Sequence, residues 1–353
     1  MNIPYRTRRF LNRIGFISLI LVTILVAFWI CWVIFVERYV VYTKDGAHLD
    51  MSYSSNDIVG EVAVPPVADQ GISIYYNEGS NSTTVGNELT QLNGYYIDEQ
   101  ALKNVPLVWE QLAPLPAGTP IMIDLKGGYG SFFYSSNLSD ALRSASTDVA
   151  AVDELIVKMK NKGLYLIARV SAFRDYSFGL NHVPSGLYLN SRKGLWADSG
   201  GCYWMNPTDS TTLNWVSSVV LEIKALGFDE VVLSNFCFPD STGYIFKDDK
   251  DAALENAAKT LMTNCGSDTF TLSFTVNRAD FPLPEGRCRI YLENVSATDV
   301  AAKASTATME NPEIFLVFVA QTNDTRYNSY SVLRPLSAAD VLEAQKAEQA
   351  ESE

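Results

Sequence analysis

Polar side chains that can do chemistry recur at the C-terminal ends of short apolar runs in this sequence. Asp124 and Lys126 close the run Ile121–Leu125, with Gly127, Gly128 and Gly130 just beyond. Arg169, Arg174 and Asp175 close Leu164–Val170, and Asn235 closes Val231–Asn235. Glu293 and Asn294 close Arg289–Glu293. Between the second and third of these sites a long segment carries Trp196, Trp204 and Asn206. Carboxylates and aromatic rings gathered at one mouth are the groups that sugar chemistry uses, the former as acid, base or nucleophile. Asp124 and Glu293 are therefore the candidate catalytic pair. Lys126, Arg169, Asp175, Trp196, Trp204, Asn206 and Asn235 are candidate substrate-binding residues. The bland alternatives are an ion pair of Asp124 with Lys126 or Arg169, and simple packing of Trp196 and Trp204 onto the domain. With only His48 and His182, and no Cys-x-x-Cys, a multi-histidine or thiolate metal site is excluded. No Gly-x-Gly-x-x-Gly and no Walker-type loop is present, so no cofactor is expected.

The elements that must position these groups follow from periodicity. The runs 92–97, 121–125, 164–170, 231–235, 270–276, 289–293 and 314–320 are mostly apolar on both alternations, as strands covered on both faces are. Ser331–Leu333 is a weak eighth. Helical spacing lies between them. Val149, Val152, Leu155, Ile156 and Met159 share one face of 148–162, which ends before Gly163. Leu213, Val216, Val220 and Ile223 do the same in 211–226, and 252–262 is a third such helix. The order predicts a (β/α)8 TIM-type barrel over 91–335, with an open doubly wound sheet as the alternative. Active residues of such a barrel sit at the C-terminal strand ends, which places Asp229 and Glu230, at the start of the fourth strand, on the stability face.

Residues 14–36 form an uncharged run of Ile, Leu, Val, Phe and Trp, long enough at ~20 residues to span a bilayer. Four arginines precede it within a basic head, 1–13, and Trp29, Trp32 and Phe35 crowd its far end. This predicts a single-pass anchor with a cytoplasmic N-terminus and everything after it extracytoplasmic. A cleaved signal peptide is the rival reading, but the run is too long and lacks a small-residue cleavage site. Residues 37–90 read as a stalk and 336–353 as an acidic tail. The formal charge is −13; residues 1–38 hold five Arg and one Glu, leaving 22 basic and 39 acidic side chains beyond them. Such an exterior repels polyanions, so nucleic acid is an unsuitable partner. Of five cysteines, Cys202, Cys237, Cys265 and Cys288 fall outside the anchor, where disulfides persist. Their connectivity is open, with free buried thiols as the alternative.

The segment 121–239 resembles a bacterial family of glycosyl-hydrolase-like proteins with an amylase-like barrel. The resemblance rests on four motifs in order: IDLKGGYG from Ile123, LIVKMKNKGLYLIARVSAFRD ending at Asp175, GLWADSGGCYWMNP ending at Pro207, and GFDEVVLSNFCFP ending at Pro239. It implies O-glycosyl chemistry, with a nucleophilic Asp at the end of the fourth strand and an Arg beside it. This chain departs from the pattern there. Gly127 stands where the family has an Asp, Ser234 replaces the nucleophilic Asp, Asn235 a Tyr and Cys237 the Arg. A Ser without a positioned base cannot take the nucleophile's part. The expected function is thus a glycan-binding, membrane-anchored barrel with a degenerate site, acting on a cell-surface or wall polymer. The alternative is an active hydrolase using Asp124 and Glu293. With Cys237 at the lost Arg and Cys202 also at the mouth, Cys202–Cys237 and Cys265–Cys288 are the expected disulfides.

Overall fold

A computed structural model describes residues 89–336 apart from Arg192, an antiparallel strand pair at Val40–Thr43 and Gly46–Leu49, and the two positions Leu25 and Trp29. Leu25 and Trp29 are helical and exposed. The rest of the expected anchor, most of the stalk and the acidic tail lie outside the described residues. Among the described residues no helix is long and apolar enough to cross a membrane. The chain divides into two compact units, 1–80 and 81–353, and the second carries the barrel.

Eight parallel strands close on themselves: β1 (Asn93–Ile97), β2 (Pro120–Lys126), β3 (Tyr165–Ser171), β4 (Glu230–Ser234), β5 (Thr271–Thr275), β6 (Ile290–Glu293), β7 (Leu316–Val319) and β8 (Ser331–Pro335). Each pairs in parallel with its neighbour, and β8 pairs with β1 to complete the ring. The fold is a TIM-type α/β barrel, and the eight runs expected from the sequence are its eight strands.

Helices α1 (Val105–Leu112), α2 (Val149–Asn161), α3 (Tyr176–Asn181), α4 (Ser210–Ala225), α5 (Lys250–Cys265), α6 (Val300–Ala304) and α7 (Pro312–Phe315) lie in the connections. The four longest each begin at a side chain that accepts a backbone N–H of the first turn. Asn104, Asp148, Asp209 and Asp249 serve in this way. Gly163 and Gly227 end α2 and α4 in left-handed backbone, φ 75° and 87°. The apolar face expected on α2 is buried from Val149 to Met159. The regularity stops after β5: the β5–β6 connection has no helix, and β7–β8 has one short 3-10 turn at Thr325–Tyr327.

Side chains alternate in and out along a strand, so inward positions stack in layers. Tyr165, Glu230 and Arg289 stand at the base. Two residues on, Ile167, Val232 and Tyr291 join Met122, Val317 and Leu333 in a dry middle layer. Two further on, Arg169, Ser234 and Glu293 reach the mouth. The base holds a buried ion pair between Glu230 and Arg289, both at most 1% exposed. Ser273, Tyr291 and Tyr165 donate to the same carboxylate at 2.6, 2.8 and 3.0 Å. Asp229 accepts the Leu166 N–H at 2.7 Å. The Arg289 guanidinium is held by Glu230 and by the Thr90 and Ile314 carbonyls, so this base plugs the closed end.

Candidate functional site

At the mouth, Arg169 on β3 lies between two carboxylates. Its Nη1 donates to Asp124 Oδ1 on β2 at 2.9 Å, while Nε and Nη2 donate to Glu293 on β6 at 2.8 and 3.0 Å. The other Asp124 oxygen accepts the Glu99 N–H at 3.2 Å. Both carboxylates thus sit one guanidinium apart. The same guanidinium occupies the space between them. Burial raises the Asp124 carboxyl above its ordinary value, outweighing the lowering effect of Arg169. Burial opposes the charge on Arg169, but the two carboxylates more than compensate and raise its affinity for a proton.

A cleft of about 180 Å³ opens over this trio, lined also by Tyr96, Asp98, Met122, Asn294, Val319 and Gln321. It is smaller than the ~300–1,000 Å³ usual for a whole-ligand pocket, so it suits one end or one ring of a longer molecule. Tyr96, Asp98 and Gln321 were absent from the residues expected from the sequence. They follow the same rule as the others, standing at or just past the ends of β1 and β7. Burial, then the nearby Asp98 carboxylate, raises the Tyr96 hydroxyl.

The remaining expected residues do not line this cleft. Lys126 and Asp175 form an ion pair at 2.7 Å with both side chains 1% exposed. Lys126 also donates to the Ser171 carbonyl at 2.8 Å. Asp175 caps α3 through the Phe178 N–H at 2.9 Å and accepts from Trp215 at 3.3 Å. The glycines after β2 let the loop close down here. A Cβ on Gly130, which has φ 80°, would collide with the Asp175 carboxylate, and one on Gly128 with Arg174. Trp204 is 7% exposed and donates to Asp198 at 3.0 Å, so it is no open sugar platform. Trp196 is half-buried against Tyr244, their ring centroids 5.5 Å apart. Asn206 closes a local turn with Thr208. Asn235 takes left-handed backbone at φ 51°, a conformation Asn tolerates, and donates to Ser171 at 3.0 Å. Ser234 is buried in the mouth layer, 3% exposed.

The expected disulfides are absent. Cys202, Cys237, Cys265 and Cys288 are free thiols. Cys265 at the end of α5 donates to the Ser217 carbonyl on α4, and Cys288 to the Pro284 carbonyl before β6. Burial, and then Glu293, pushes the Cys237 thiol up to about 11, which suits a packed thiol rather than a reactive one. Alkylation of the denatured chain without reductant is expected to label all four, read by peptide mass. A disulfide-linked peptide pair among them would contradict this.

Asp198 accepts from Arg174 Nε at 2.6 Å, from the Cys202 N–H at 3.0 Å and from Trp204. Burial alone would raise its carboxyl, but these bonds outweigh it and hold it at about 2. Its contribution to stability is present above the unfolded carboxylate value of about 3.9 and is lost as pH falls toward 2. Asp198→Asn is therefore expected to lower Tm at neutral pH, with the gap to the parent narrowing below about pH 4. A gap constant across that range would remove this assignment.

Residues 116–265 match a protein family described as "Putative glycosyl hydrolase domain". The matched stretch, less than half of the chain, is similar to that family. Within the matched stretch fall β2 to β4, the Asp124–Arg169 pair and Ser234, while Glu293 lies beyond it. No curated protein gives a match to the chain. Among solved structures, a hypothetical protein from Ruminiclostridium thermocellum overlaps with a TM-score of 0.45 at 15% identity, covering 51% of this chain and 96% of that one. An α-galactosidase from Geobacillus stearothermophilus in complex with raffinose overlaps at TM-score 0.48 and 8% identity, covering 74% of this chain and 41% of its own. An exo-β-N-acetylglucosaminidase from Vibrio harveyi gives 0.45 at 11%, with 65% and 41% covered. The chain thus spans less than half of each of these two enzymes, and the overlaps say nothing of its activity.

Proposed function

We propose that this chain is a membrane-anchored, extracytoplasmic barrel that binds a cell-surface or wall glycan at its mouth without cleaving it. The observation that carries this reading is the Arg169 clamp. A nucleophilic Glu293 would have to leave a bidentate pairing to reach an anomeric carbon, and Asp124 has both oxygens committed. Ser234 supplies no carboxylate at the place where the family's nucleophile is expected. What remains is a polar cleft with hydroxyl, amide and carboxylate groups, suited to holding a sugar ring by hydrogen bonds. The family's description supports carbohydrate as the ligand class. The anchoring run at 14–36 and its arginines support the extracytoplasmic placement.

One observation favours a second reading. The raised Asp124 carboxyl is the property of a general acid, and with Glu293 as its partner the site would hydrolyse an O-glycosyl bond. The test of the binding reading is affinity electrophoresis of the full chain in detergent against a panel of wall and surface glycans. The parent is expected to be retarded by at least one glycan. Arg169→Met, which removes the clamp, is expected to lose at least about tenfold in affinity, the size of one charge-assisted bond. Equal retardation of both proteins would place the binding elsewhere on the chain.

A further inference from the structure

The charge of the mouth narrows the kind of sugar it can hold. Three carboxylates, Asp98, Asp124 and Glu293, line the cleft against one guanidinium, Arg169. Arg169 is shared by Asp124 and Glu293, which leaves Asp98 with no cationic partner among the described residues. One Asp98 oxygen accepts the Ala101 N–H at 2.8 Å, and the side chain is otherwise open to the cleft. Beside it the Tyr96 hydroxyl has no hydrogen-bond partner among the described residues. Lys103, the next cation after Asp98 in sequence, donates to Gln100 at 2.7 Å, and Lys126 is buried against Asp175. The chain as a whole is acidic at −13.

A partly enclosed site with an uncompensated carboxylate gains from a ligand that brings the missing positive charge and repels one that adds a negative charge. We propose that the barrel mouth selects a glycan carrying free amino groups, a de-N-acetylated hexosamine polymer, and holds the ammonium at Asp98 beside the Tyr96 hydroxyl. An ammonium has three donors and no acceptor, which matches an acceptor-rich wall of Asp98, Glu293 and the Asn294–Gln321 pair. A neutral N-acetylated ring brings no charge to Asp98. Uronic and sulfated rings meet repulsion from all three carboxylates.

This inference rests on the glycan-binding reading and deepens it. Its test is the affinity of the full chain in detergent for hexosamine oligomers offered in free-amine and fully N-acetylated forms, with neutral and uronic oligomers alongside. The free-amine form is expected to bind about tenfold or more tightly than its acetylated twin, the size of one charge-assisted hydrogen bond. Asp98→Asn, an exposed and nearly isosteric change, is expected to abolish that preference while leaving Tm in place. Preference for acetylated, neutral or uronic oligomers would overturn the inference and leave the binding reading standing. So would a free-amine preference that survives in Asp98→Asn, because the amine would then be held elsewhere. Failure of every oligomer and polymer to bind would overturn both.

Discussion

Asp175→Ala should destabilise the barrel by about 3–5 kcal/mol, the range for stranding one member of a buried ion pair. Lys126 would keep its charge at 1% exposure with only the Ser171 carbonyl to accept from it. The substitution also removes the cap of α3 and the acceptor for Trp215. Replacing both partners with apolar residues, as in Lys126→Met with Asp175→Leu, should recover a large part of the loss, since an apolar pair carries no stranded charge. Equilibrium denaturation of parent, single and double variants reads these differences. A loss below about 1 kcal/mol in the single variant would mean that the pair is hydrated rather than buried. Both residues come from motifs that also suggest ligand binding. In the structure they hold the β2 loop against the start of α3.

Arg289→Met should have a similar effect at the opposite end of the barrel. Glu230 has 0% exposure and would retain only the hydroxyls of Ser273, Tyr291 and Tyr165 as donors. Arg289 further donates to the carbonyls of Thr90 and Ile314, tying the segment before β1 and helix α7 to the base. Its removal therefore strands a buried carboxylate and frees two connections, with an expected cost of about 3–5 kcal/mol. Glycan binding by the folded fraction should be unchanged, because a full apolar layer separates this base from the mouth. Lost binding at retained stability would contradict the assignment of Glu230 and Arg289 to the closed end.

The contrast between these two ion pairs and the Arg169 trio shows how far residue patterns reach. The barrel was legible because each strand is covered on both faces and so reads as a continuous apolar run, even β8 with its Val332 and Leu333. The connections after β5 were less legible, since they carry short turns in place of amphipathic helices. Asp124 and Glu293 were legible as members of the mouth because strand ends locate it. Tyr96 and Asp98 obey the same rule, but β1 ends in Tyr-Tyr-Ile and runs into Asp98 without the glycine-rich stretch that makes the end of β2 conspicuous. Partnership was legible only in part: the pairing of Asp124 with Arg169, one of the two offered, is the one the structure shows. Lys126, two residues from Asp124, pairs with Asp175 instead, past an irregularity in the β2–β3 register. Trp204 spends its N–H on Asp198, and the four cysteines lie in separate packing environments. Those outcomes depend on distances across the barrel, which no spacing along the chain encodes.

The most direct measurement on the central claim is release of new reducing ends when the full chain is incubated with a glycan that it binds. The clamped arrangement of Asp124, Arg169 and Glu293 predicts no release above that of Asp124→Asn and Glu293→Gln, with the glycan still bound. Release by the parent that vanishes in both variants would show that the two carboxylates work as a catalytic pair, and the reading of this barrel as one that holds without cutting would be wrong.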